Sequence, residues 1–264
     1  MDILEGKGRD VMWRNIFLLR EETKKIFRSR YLFIYLLVLL LDIGTFISEY
    51  SDRSRSVLYS TGVHVDGQGI KYLTSHEYGS FGVLVLFLLP LLFTSAPVFS
   101  DEAENNMVSQ IKATVNGRIV DTIIKTIIVL MIHFVWTIII SVVSVILSFT
   151  LFDKGIILNK ENISQILSCM LNIWAGSFFM ACFFLLISSC LKRTVEALSV
   201  GIASILLPMF AESEKILTQL FPVFGMQAEC LMKRSVQENI FVFSFYIITG
   251  TALLIGNLYY NKIV

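Results

Sequence analysis

The sequence predicts an all-α polytopic membrane protein, and three observations carry that prediction. Hydrophobic residues fill 55% of its 264 positions and charged residues only 16%, against roughly 25% charged in an ordinary soluble domain. Mean hydropathy is +0.71. The apolar residues are gathered into runs of the length that a hydrocarbon core of roughly 30 Å requires, about 20 residues each as helix. Lys plus Arg (22) and Asp plus Glu (21) nearly cancel. No long basic surface exists, so no nucleic-acid partner is expected.

Ahead of the first run, residues 11–30 read VMWRNIFLLREETKKIFRSR. Val11, Met12, Ile16, Leu19, Ile26 and Phe27 tend to one side, while Arg14, Glu21, Glu22, Lys25 and Arg28 supply polar faces. This pattern predicts a basic amphipathic helix lying in the membrane interface, with Trp13 at headgroup depth. A simple positive anchor is the plainer reading of the same residues.

Six spans follow: Tyr31 to Ile47, Phe81 to Phe99, about Ile123 to Phe152, Ile166 to Leu191, about Val195 to Phe210, and Ile240 to Tyr260. The third is longer than one crossing needs, so one end projects or the helix tilts. The fifth is short and breaks near Leu207-Pro208-Met209. The first is read as a retained anchor rather than a cleaved signal, since about thirty polar and amphipathic residues precede it. The whole of 1–264 reads as one transmembrane domain, with 1–30 interfacial, 31–260 a six-span bundle and 261–264 a tail.

Placing both termini in the cytoplasm puts 14 Lys and Arg inside and 8 outside, which the positive-inside rule favours. Between spans two and three lies SDEAENNMVSQIKATVNGRIVDTIIK, from Ser100 to Lys125. Asp101, Glu102 and Glu104 are expected to open a short cytoplasmic helix, where carboxylates suit exposed amides and the positive dipole end. Met107, Val108 and Ile111 give it an apolar edge, and Asn116-Gly117 stops it. Such a helix either docks a partner or rests on headgroups. Outside, 49–80 forms a polar loop, and 211–239 carries apolar pieces such as Leu220-Phe221-Pro222-Val223-Phe224 that read as short helices dipping into the interface.

Phosphate-loop, HExxH, GxSxG and EF-hand patterns are all absent, so no catalytic residue is assigned and any energy must come from another chain. Cysteines at 169, 182, 190 and 230 have no CxxC spacing and read as small apolar residues. His64, Asp66, His76 and Glu77 share one outer loop and would suit zinc if the loop brought them together; solvated loop residues are the plainer account. Asp42 is the one carboxylate well inside a span, costing on the order of 3 kcal/mol or more if uncompensated. It either lines a pathway or reaches interfacial water. His133 calls for an interhelical partner, as a structural hydrogen bond or as a proton relay. Glu196 is read as pairing locally with Lys192 or Arg193. Ala197 with Gly201, Ala175 and Gly176 with Ala181, and Gly250 mark close helix packing.

An interfacial helix, six spans, cytoplasmic termini and a helix between spans two and three together resemble the permease subunit of type-2 ATP-binding-cassette exporters. The local match is Phe99-Ser100-Asp101-Glu102-Ala103-Glu104-Asn105, then Ala113-Thr114-Val115-Asn116-Gly117-Arg118 and Lys125. It departs at Asn106-Met107, where many members have Gly-Thr. The resemblance implies that a second permease, identical or related, completes the pathway. It also implies that separate cytoplasmic ATPase subunits, holding ATP and Mg, press on a coupling helix. Asp101, Glu102, Glu104, Met107, Ile111 and Arg118 would carry that contact, with Asp42 and His133 as pathway candidates. The Lys-, Ile- and Asn-rich composition resembles Gram-positive systems that export or resist antimicrobial peptides or other amphiphiles. Two other readings stand beside it: an outer-face metalloenzyme using His64, Asp66, His76 and Glu77, and a non-transporting sensor or immunity subunit.

Overall fold

A computed structural model describes residues 20, 24, 31–60, 78–79, 82–107, 117–151, 160–210 and 220–263. The expected interfacial helix at 11–30, apart from positions 20 and 24, and the outer-loop residues His64, Asp66, His76 and Glu77 lie outside the described residues. Every described element is helical or a turn, and none is a strand.

Helix α1, Tyr31–Ser60, continues well past the expected end at Ile47. Tyr35, Val38, Asp42 and Phe46 form its buried stripe, at i, i+3, i+7 and i+11. Phe33, Leu36, Leu37, Leu40 and Leu41 face outward. Helix α2 spans Val83–Glu104 in three pieces: a π-helical stretch Val83–Leu88, then Leu89–Ser95, then Pro97–Glu104. Pro90 and Pro97 set the joints, because a proline lacks the amide and crowds the carbonyl four residues back.

Those joints are served by other helices. In α3, Gly117–Leu151, the Trp136 indole N–H donates to Leu86 O at 2.7 Å, the carbonyl four residues before Pro90. In α4, Lys160–Cys190, Ser188 Oγ accepts from the amides of Phe99 and Ser100 at 2.9 and 3.1 Å. Those amides lie in the first turn after Pro97.

Helix α5, Thr194–Leu206, has only 13 residues and passes into a 3-10 turn at Leu207–Phe210. Short helices α6, Pro222–Gly225, and α7, Ala228–Lys233, fold back into the protein as the sequence suggested, burying Val223, Met226 and Ala228. The Ala228 amide donates to Tyr78 O at 2.7 Å. Helix α8, Val236–Ile263, opens on a reciprocal cap: the Ser235 amide donates to Glu238 Oε2 at 2.7 Å and the Glu238 amide to Ser235 Oγ at 3.3 Å.

Helices α4 and α8 run parallel and make the most extensive pairing in the protein. Gln165 meets Met232 just before α8 begins, and at the far end Ser189 Oγ donates to Asn257 Oδ1 at 2.6 Å. Gly250 is required here, since a Cβ on it would lie 2.7 Å from Phe178 Cε1 and 3.2 Å from Phe179 Cα. Gly201 likewise lets α5 approach Leu92 of α2.

Four helical segments are long and apolar enough to cross a membrane: Val83–Glu104, Ile119–Ser148, Ile163–Cys190 and Val236–Ile263. The first and fifth expected spans appear as shorter apolar helices, Phe33–Ser48 and Thr194–Leu206, so six full-length spans are not found among the described residues. At about 1.5 Å per residue, the 13 residues of α5 reach only about 20 Å. Large apolar side chains face outward along α1, α3, α4 and α8 while Asp42, Lys125, His133 and Arg234 are buried. That inverted distribution suits a lipid surround. Of the three cysteines expected to be buried within one run, Cys169 and Cys182 are buried and Cys190 is exposed.

Candidate functional site

The acidic run differs from expectation in its place on the helix. Asp101, Glu102 and Glu104 close α2 rather than opening a new helix. The chain stops there through a Schellman turn: the Met107 amide donates to Glu102 O at 2.9 Å and the Asn106 amide to Ala103 O at 3.2 Å. Asn106 takes φ 57°, the left-handed position where glycine is preferred and Asn is the next best choice. A residue pair that departs from Gly-Thr thus keeps the backbone geometry glycine would allow.

The carboxylates are also turned inward. Lys125, one turn beyond Asp121 on α3, is 3% exposed. It donates to Glu102 of α2 and, at 2.6 Å, to Asp121 Oδ2, with its ammonium 5.4 Å from the centre of the Phe99 ring. The pair of i, i+4 charges was legible from spacing; the inter-helix partner was not. Glu104 Oε2 accepts from the Thr194 amide at 3.2 Å, covering the start of α5. Asp101 Oδ1 accepts from Asn105 at 3.2 Å. Three residues expected to face a partner therefore tie α2 to α3, to α5 and to its own terminus. Met107 is 40% exposed. Ile111 lies outside the described residues, and Arg118 sits in the first turn of α3 with its side chain outside them.

The two pathway candidates share a face of α3 without sharing a site. Asp42 is 1% exposed and accepts from Ser144 Oγ at 3.5 Å, so it does not reach out to interfacial water. His133 is 3% exposed, and neither ring nitrogen has a hydrogen-bond partner. The interhelical bond expected of it is not made among the described residues. Eleven residues separate His133 from Ser144, about 16 Å along the axis and nearly the same angle around it.

Between and beyond them runs a polar stripe: Thr122, Thr126, Thr137, Ser141 and Ser148, all buried. Ser141 Oγ accepts from Tyr78 Oη at 3.1 Å, and Thr137 Oγ1 donates to His133 O at 2.9 Å. The stripe was readable at helical spacing, but only the paired helices show that it points inward.

Neither a family model nor a curated protein matches this chain. Function is therefore read from the residues alone. Among the described residues no group of three or more His, Cys, Asp or Glu could hold a metal. No nucleophile with a neighbouring base appears among the interactions described above. What the geometry provides is a polar interior within an apolar bundle, and an ionic clamp where α2 and α3 meet. Glu196 makes the expected local pair, 3.9 Å from Arg193 Nε, an exposed contact of little energetic weight.

Proposed function

We propose that this chain is the membrane-spanning permease subunit of an ATP-binding-cassette exporter, moving a peptide or other amphiphile. A second permease would complete the pathway, and separate cytoplasmic ATPase subunits would supply ATP and Mg. The observation that carries the reading is the α2–α3 junction. There the acidic run after Phe99 and the Lys entering α3 resemble the exporter pattern, and Asn106 takes the backbone conformation that a family glycine would. Buried Asp42 and the α3 stripe offer polar surface inside the bundle, as a route for a partly polar substrate needs.

In this reading both termini are cytoplasmic, and the segment between Met107 and Gly117 meets the ATPase. Nucleotide binding would shift the permease by contacting its two states differently. Glu102 acts as an internal strut rather than a docking side chain, so exposed Met107 and Arg118 take the contact. The test is a pull-down of the tagged chain from its native membrane, with mass spectrometry and a vanadate-sensitive ATPase assay. A phosphate-loop ATPase in an active eluate supports the proposal. A chain that emerges alone and inactive from several mild detergents overturns it.

A further inference from the structure

Between the first turns of α4 and α8 and the short helix α7 lies an open groove of about 500 Å³, within the roughly 300–1,000 Å³ typical of small-molecule sites. Leu171, Ile240 and Phe243 give it an apolar wall, and Ser168, Asn172 and Asn239 a polar one. Both long helices begin here, so the positive ends of two parallel dipoles lie together. This is also where two spans enter the membrane, at headgroup depth.

The polar side of the groove is incompletely satisfied. Asn172 Nδ2 and Arg234 Nη2 each donate to Gly225 O at 2.6 Å, which places the guanidinium against the same carbonyl as a wall residue. Arg234 Nε donates to Cys230 O at 2.9 Å. Its Nη1 has no partner, and neither does Asn239 Oδ1.

Arg234 is 8% exposed, and burial pulls its pKa below the ordinary arginine value, yet a guanidinium stays charged. It forms no ion pair among the described residues. Glu238 turns its carboxylate to Ser235, and Glu229 pairs with Lys233 at 2.7 Å. A desolvated cation with no carboxylate against it is costly, and an outside anion would relieve that cost. One orphan donor calls for an acceptor and one orphan acceptor calls for a donor.

We propose that the groove binds a membrane phospholipid with an anionic, hydroxyl-bearing headgroup. One acyl chain lies along Leu171, Ile240 and Phe243, and the head sits at the Arg234–Asn239 corner. The phosphate compensates the guanidinium, and a head hydroxyl donates to Asn239 Oδ1. This inference does not rest on the transport reading.

The test uses the full-length protein in mixed micelles with phosphatidylglycerol carrying a photoactivatable acyl chain, followed by peptide mapping. Adducts are expected within 165–172 and 231–243. Unlabelled phosphatidylglycerol should compete at least tenfold better than phosphatidylcholine, which has the phosphate but neither net charge nor hydroxyl. Ser168→Phe, filling the groove, should remove the adducts. Arg234→Gln should keep them and lose the headgroup preference. Adducts elsewhere, equal competition by the two lipids, or undiminished labelling of Ser168→Phe would each overturn the proposal. The competition is read on the unaltered protein, so it stands whether or not Arg234→Gln folds.

Discussion

Lys125 is the residue on which the most depends for its size. A buried ammonium held by Glu102 and Asp121 is no strong source of stability while intact, but removing one partner strands the others. Lys125→Met leaves two largely buried carboxylates facing each other and should cost about 3–5 kcal/mol, read as a fall in the thermal midpoint in detergent. Glu102→Gln, which keeps a hydrogen-bond acceptor and leaves Asp121 in place, should cost only about 1–3 kcal/mol. Asn106 supplies a separate check. Its φ of 57° should make Asn106→Gly neutral or stabilising, whereas Asn106→Val should lose on the order of 1–2 kcal/mol. If both variants melted alike, the left-handed turn would not be controlling the end of α2.

At the scale of elements, the broken helix α2 depends on side chains from its neighbours. Ser188→Ala withdraws the acceptor for the Phe99 and Ser100 amides and should cost roughly 1–3 kcal/mol, with those two amides exchanging faster with solvent. Gly250→Val should open the α4–α8 seam, because Phe179 Cα stands 3.2 Å from where a Cβ would lie; weaker protection along both helices would report it. The long apolar runs and the packing glycines were legible in the sequence, since span length and small-residue spacing are local properties. The inward stripe of α3 was there too, at helical spacing. The ionic clamp was half legible: Asp121 and Lys125 are a turn apart, but Glu102 is 23 residues away and could be placed only by the fold. The acidic run was misplaced because carboxylates suit a helix start, and here the prolines of α2 carry the helix through them to Glu104.

For the molecule as a whole, the outward apolar faces fix where it can live. Exposed Leu, Ile, Phe and Val along α1, α3, α4 and α8 form a surface that water would aggregate. The chain is expected to stay in the membrane pellet under alkaline carbonate and to leave it only with detergent. Recovery in the carbonate supernatant would contradict a membrane-embedded fold. Charge reversal at Arg118, with Met107→Asp beside it, should reduce ATPase recovery in the pull-down while the thermal midpoint stays put. Equal recovery would count against docking at that junction.

The two joints of α2 carry a mechanical consequence. Each is closed by a foreign side chain, Trp136 from α3 and Ser188 from α4, as a key closes in a keyway. Turning α2 about its axis, or sliding it by one residue, would unseat both keys at once and strand a carbonyl and two amides in lipid. A displacement applied at the Glu102 end therefore cannot be absorbed by α2 alone; the three helices swing together or not at all.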